Sequence, residues 1–115
     1  LGVEKIVAFD VDPVSIDETH QNMERNGLSG KFETKCCKIK DIQGRFDLIL
    51  ANVYAEPLIN MRNEMKYRLN PGGKVILSGF QYFNEKEMKS KFEEAGFIFI
   101  RNYTDGEWVC SLFQV

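Results

Sequence analysis

Two apolar runs of this chain end in a group able to hold a polar ligand: Asp10 closes KIVAF, and Asn52 closes FDLILA. A third run, KVIL, ends in Ser78 and Gly79. In open parallel sheets, ligands settle beyond the carboxyl ends of the strands, near the point where strand order reverses. Strand-final polar residues are therefore the first candidates for chemistry. An acid at the tip of the second strand of a nucleotide-binding half accepts hydrogen bonds from both ribose hydroxyls, and Asp10 has that address. Sharing a helix N-cap with Asp12 accounts for Asp10 equally well. Asn52 offers a carbonyl acceptor and an amide donor without charge, although a turn or cap role requires no ligand.

Other chemistries have less to work with. Cys36, Cys37 and Cys110 are an odd number, two of them adjacent, with no second pair at zinc-ligand spacing, so free thiols and no metal site are expected. His20 is the only histidine, and a serine or cysteine nucleophile would have to borrow it from a helix face. With 15 basic and 17 acidic residues, the net charge of -2 leaves no basic footprint for nucleic acid, and no direct contact with it is expected. No run of 18 apolar residues and no signal-peptide pattern is present, so the reading is cytoplasmic, with no membrane.

The elements that must position these residues follow from periodicity. Residues 5–10 read as a buried strand feeding a helix, with Asp12 at the N-cap and Pro13 at the first helical position. Ile16, His20 and Met23 share a face of that helix, and Asn26 and Gly27 end it. Residues 32–36 are a weaker strand, and residues 38–45 a polar connection. Residues 46–52 are the strongest strand signal, because Leu48, Ile49, Leu50 and Ala51 are apolar in succession, which requires cover on both faces of a parallel sheet. Leu58, Met61, Met65 and Leu69 form the stripe of a helix starting near Pro57, which Asn70, Pro71, Gly72 and Gly73 terminate. Residues 74–79 give another buried strand. Asn84 with Glu87 then forms a capping box for a helix that turns Met88, Phe92 and Ala95 inward and closes at Gly96. Residues 97–103 and 107–113 flank Thr104, Asp105 and Gly106 as a tight antiparallel hairpin.

The order is strand, helix, strand, strand, helix, strand, helix, hairpin. It specifies a single α/β domain over residues 1–115, mostly parallel, with an antiparallel edge. Leu1 and Gly2 read as the tail and cap of a helix whose body is absent.

Quoted in order, LGVEKIVAFDVDPVSIDETHQNMERNG, FDLILANVYAEPL, LNPGGKVILSG and GEW resemble four successive blocks of the PrmA family, bacterial methyltransferases of ribosomal large-subunit protein eleven. The resemblance covers most of the chain and implies a Rossmann-like class I methyltransferase sheet, whose last strand is reversed at the edge. It implies S-adenosylmethionine as cofactor and the ribosomal protein as partner, with amino groups (α-amino and lysine) as acceptors. Asp10 would bind the cofactor ribose, and Asn52, a catalytic as well as a cofactor-binding position, would lie beside the methionine moiety and the transferred methyl. The family's glycine-rich loop, first strand and first helix precede the stretch matching Leu1, as does its small N-terminal domain. The expectation is thus an N-terminally truncated domain, inactive by itself.

In the family's strand order, 3-2-1-4-5 with the hairpin outside, the missing strand is central. It would leave its two neighbours about 9 to 10 Å apart, twice the usual spacing of ~4.8 Å. A dimer or a rearranged register is the expected remedy. Two other functions share these features. A nicotinamide-dependent oxidoreductase also places an acid at the second strand tip, with its phosphate fingerprint upstream. A non-catalytic binding module would keep the scaffold alone.

Overall fold

The computed structural model describes residues 5–10, 32–35 and 43–115, which contain one six-stranded sheet. Its strands are β1 (Ile6–Asp10), β2 (Phe32–Lys35), β3 (Phe46–Asn52), β4 (Leu69–Gln81), β5 (Ile98–Asp105) and β6 (Trp108–Gln114), in the spatial order β2-β1-β3-β4-β6-β5. The first four positions in that order pair in parallel, and β6 and β5 close the edge as an antiparallel hairpin. Helices α1 (Ala55–Asn60) and α2 (Arg62–Tyr67) connect β3 to β4, and α3 (Glu85–Glu94) leads from β4 to the hairpin. The α/β class and the reversed edge agree with the sequence pattern. The expected helix after Asp12, with His20, and the residues Leu1, Gly2, Cys36 and Cys37 lie outside the described residues.

The central slot is closed. β1 pairs directly with β3, in register from Ile6 opposite Leu48 to Asp10 opposite Asn52. A buried backbone group without a partner costs roughly 1 to 3 kcal/mol. Direct pairing satisfies the facing rows of such groups on β1 and β3, so no open gap separates these two strands.

β3 is apolar on both faces, and among the described residues one face is fully buried and the other partly. Val7, Ile49, Ala51, Val75 and Leu77 belong to the main core with Leu58, Met65, Met88 and Phe92. Ile6 and Ala8 pack with Leu48 and Leu50 in a second, smaller cluster. At the hairpin end, Phe92 stacks on Phe113 with ring centroids 5.1 Å apart, and Phe97 and Phe99 meet Phe113 edge-on.

The single helix expected from Leu58 to Leu69 is divided. Met61 stands between α1 and α2, half-buried, while Leu58 and Met65 are fully buried. At the junction the Met61 N–H is shared between the carbonyls of Pro57 and Leu58, and the Arg62 guanidinium donates to the Ile59 carbonyl at 2.7 Å. Leu69 does not extend the helix; it opens β4 opposite Phe46. The turn at Pro71, Gly72 and Gly73 therefore sits inside β4 as a bulge rather than ending a helix. Between the pairs Phe46–Leu69 and Leu48–Lys74, β4 carries several more residues than β3, and Gly72 takes φ +80° to accommodate them.

The capping box at α3 does not form. A one-turn 3-10 helix, Tyr82–Asn84, runs straight into α3, so Asn84 has helical dihedrals (φ −95°, ψ −8°) and its side chain caps nothing. The other end closes as expected. Gly96, at φ +98°, donates to Glu93, and Phe97 donates to Phe92, both at 3.0 Å. The Phe92–Phe97 ring contact completes this Schellman motif. The hairpin turn is Gly106–Glu107, one residue later than the Asp-Gly pair suggests, with φ +61° at Gly106 as a type II′ turn demands.

One polar chain fastens α3 to the hairpin: Asn102 Nδ2 donates to Glu85 Oε1, and Ser111 Oγ donates to Asn102 Oδ1 at 2.5 Å. Ser111 is only 2% exposed, so its hydroxyl depends on that acceptor. Asn102→Ala is expected to lower unfolding free energy by about 1 to 3 kcal/mol, the cost of an orphaned buried hydroxyl. Urea denaturation checks it; a change within a few tenths would show the network to be dispensable.

Candidate functional site

The three candidate strand ends form one row. In the parallel registers, Asp10 is the partner of Asn52, and Asn52 is the partner of Ser78. Neighbouring positions of such a row lie about 4.8 Å apart. The carboxylate, amide and hydroxyl positions singled out by sequence are thus adjacent across β1, β3 and β4, at the carboxyl end of the parallel strands.

Asn52 is exposed at its tip while Ala51 and Val53 on either side are buried, which fixes the backbone beneath it. Val53 N–H donates to the Ser78 carbonyl at 3.1 Å, extending the ladder past the strand end. Ser78 Oγ donates to Asn52 Oδ1 at 3.3 Å. Gly79 takes φ +90°, and a Cβ there would lie 2.7 Å from Asn52 Oδ1 and 2.8 Å from the Val53 carbonyl oxygen. A side chain at Gly79 would occupy the space that the Asn52 carboxamide fills. The sequence marked Ser78 and Gly79 as strand-final, but their contacts with Asn52 depend on cross-strand register. The Ser-Gly pair after an apolar run was the one local signal.

A second group of residues rims the same end. Tyr54 follows Asn52 closely and is 69% exposed at the start of α1. Tyr82 and Phe83, also exposed, meet edge-on at 5.7 Å just beyond β4. Gln81 pairs with Trp108 across the sheet, Tyr82 N–H donates to the Glu107 carbonyl at 2.9 Å, and Gln81 Nε2 donates to Glu107 Oε2 at 3.4 Å. The hairpin turn thereby joins the rim of the parallel strands. Glu56, in the first turn of α1, is exposed beside Tyr54.

The rest of the described chemistry is elsewhere. Burial pushes the Cys110 thiol above its ordinary pKa, so it is a poorer nucleophile than a free cysteine. Among the described residues, no three His, Cys, Asp or Glu side chains cluster to hold a metal ion, and no helix is long and apolar enough to cross a membrane. A shallow dent lined by Lys86, Lys89, Ser90, Glu93 and Glu94 lies along α3, and none of the strand-tip residues line it.

The donor set at the tips fits an adenosyl cofactor: an acid position for a ribose diol, an uncharged amide for the polar end, and a glycine that lets other groups approach the backbone. Comparison with known proteins bears on the same point. The family model described as "Ribosomal protein L11 methyltransferase (PrmA)" matches residues 1–115. A ribosomal protein L11 methyltransferase of Geobacter metallireducens is 32% identical over 114 residues, covering 99% of this chain and 38% of the relative. The chain therefore spans under two fifths of that relative's length. The crystal structure of a ribosomal protein L11 methylase from Lactobacillus delbrueckii subsp. bulgaricus superposes with a TM-score of 0.73 at 26% identity, covering 96% of this chain and 57% of that one. The N-methyltransferase NodS from Bradyrhizobium japonicum, solved with S-adenosyl-L-homocysteine, shares the fold with a TM-score of 0.65 at 13% identity, covering 98% of this chain and 78% of that one.

Gly72 and Gly79 provide a matched pair for testing the tip geometry. Both have positive φ, but an added Cβ at Gly72 meets nothing within 4 Å. Gly72→Ala is expected to cost about 1 kcal/mol from backbone conformation alone. Gly79→Ala should cost at least ~1 kcal/mol more, because Asn52 and Val53 must also move. Chemical denaturation of the two variants checks it, and equal losses would contradict the packing described.

Proposed function

This chain belongs to the ribosomal protein L11 methyltransferase (PrmA) family, and on that premise we propose that the protein carrying it transfers methyl groups from S-adenosylmethionine to α-amino and lysine amino groups of ribosomal large-subunit protein eleven. The observation that carries the reading is that Asp10, Asn52 and Ser78 all stand at the carboxyl end of the parallel strands. The S-adenosyl-L-homocysteine held by NodS, which has the same fold, supports the choice of cofactor.

The cofactor, when bound, supplies a methyl group already activated on a sulfonium. No nucleophilic side chain is needed, because the acceptor amine is itself the nucleophile. Asp10 accepts hydrogen bonds from the ribose hydroxyls and anchors the adenosyl end. Asn52 orients the acceptor nitrogen. Holding a lone pair in line with the methyl can supply roughly 7 to 11 kcal/mol of barrier reduction. An amide suits the task because it accepts an N–H hydrogen bond without taking up a proton itself.

The acceptor must arrive deprotonated. For a lysine with pKa ~10.4 at pH ~7.4 that costs about three pH units, or roughly 4 kcal/mol, whereas an α-amino group near ~7.8 costs well under one. The N-terminal amine is the easier target. Turnover on either amine should rise with pH, and the rise should level off at lower pH for the α-amino substrate.

The nicotinamide-dependent reading is not favoured, since the chain's family and its curated relatives are methyltransferases. Calorimetric titration of the intact protein with S-adenosylhomocysteine and with NAD separates the two, with binding expected only for the first. Asn52→Ala should lower turnover at least ten-fold while changing affinity for S-adenosylhomocysteine less than about three-fold. Asp10→Ala should do the reverse, weakening affinity by roughly ten-fold or more through loss of charge-assisted hydrogen bonds. If both variants lose turnover and affinity in equal measure, the division of roles is wrong.

A further inference from the structure

We propose that the aromatic rim beyond the strand tips is the docking surface for a cationic segment of the protein substrate, holding the ammonium groups that flank the acceptor amine. The inference rests on the methyl transfer proposed above and names what recognises its substrate. Tyr54, Tyr82, Phe83 and Trp108 are each half exposed or more. Large rings gathered in the open at one end of a sheet mark a surface that a partner covers. The fold sets their places: Tyr54 follows β3 at the start of α1, Tyr82 and Phe83 follow β4 and meet edge-on, and Trp108 opens β6 opposite Gln81.

Charge complementarity selects the occupant. The stretches 52–57, 78–85 and 104–108, which carry these rings, contain Glu56, Glu85, Asp105 and Glu107 and no lysine or arginine, in a chain that has 15 of them. The next cation along the chain, Lys86, lines the dent on α3 instead. Glu107 is exposed beside Trp108, and Gln81 Nε2, donating to its Oε2 at 3.4 Å, restrains the carboxylate at the rim. The Tyr82 N–H donates to the Glu107 carbonyl at 2.9 Å, so the hairpin turn and the Tyr82–Phe83 pair are tied together. An ammonium gains from both an aromatic face and a nearby carboxylate. An apolar partner would gain nothing from the carboxylates, and an anionic one would be repelled. Cations held at the rim flank the acceptor, so the acceptor amine itself can still lose its proton.

The test is calorimetric titration of the intact protein with a lysine-rich peptide and with the same peptide acetylated at every amine. The cationic form is expected to bind about ten-fold tighter or more, since each exposed ring is worth roughly two- to five-fold toward a cation. Tyr82→Leu combined with Trp108→Leu should reduce that preference to under about three-fold with the thermal midpoint nearly unchanged, because both side chains are exposed. Tyr82→Phe combined with Trp108→Phe, which keeps two aromatic faces, should retain most of the preference. Equal affinity of the unaltered protein for the two peptides overturns the proposal. So does an undiminished preference in the leucine variant, or a phenylalanine variant as weak as the leucine one. Self-association of the unaltered protein that disappears in the leucine variant would assign the rim to a second copy and overturn it as well. Methyl incorporation into the ribosomal protein separates the two readings: incorporation with an undiminished preference in the leucine variant sinks the docking surface alone, and no incorporation by the unaltered protein sinks the methyl transfer and the flanking role that depends on it.

Discussion

The parallel register of β1, β3 and β4 is the constraint on which the site depends. Side chains in a strand alternate faces, so slipping one strand by a single residue would move every apolar residue to the wrong face and every tip residue out of its row. Val7, Ile49 and Val75 are each 1% exposed or less, and Ile49 faces both of the others in the ladder. Burial of that trio resists slippage. The same pairing, read three residues further along, sets Asp10 beside Asn52 beside Ser78. Packing and chemistry are thus two ends of one ladder.

The antiparallel hairpin contributes to that rim from the far side. β6 covers β4 and carries Phe113 into the aromatic cluster with Phe92, and its first residue, Trp108, pairs with Gln81 beyond the tip of β4. The Asn102 network and the Schellman closure at Gly96 tie α3 to the same hairpin. Residues remote from the tips therefore set how the rim of Gln81, Tyr82 and Glu107 stands over them.

Continuous apolar runs made β1, β3 and the second half of β4 legible from sequence, and turn chemistry made the hairpin legible, since both signals are local. Asp10 and Asn52 stood out because a polar residue closes an apolar run. Spacing did not reveal the break at Met61: Leu58, Met61, Met65 and Leu69 satisfy one continuous helix as well as two short ones followed by a strand. Leu69 joins β4 through its pairing with Phe46, a partner distant in sequence. The asparagine before α3 looked like a cap, but a preceding 3-10 turn put its backbone in helical geometry. Direct pairing of β1 with β3, and the contacts of Ser78 and Gly79 with Asn52, arise from tertiary register, which no local pattern encodes.

Residue-specific NMR of the intact protein, labelled with nitrogen-15 and titrated with S-adenosylhomocysteine, tests the central claim most directly. The backbone amide of Asp10 and both the backbone and side-chain amides of Asn52 should shift together along one saturating curve, with those of Ser78 and Gly79 following. Saturable binding that leaves Asp10 and Asn52 unshifted would place the cofactor elsewhere and contradict the account.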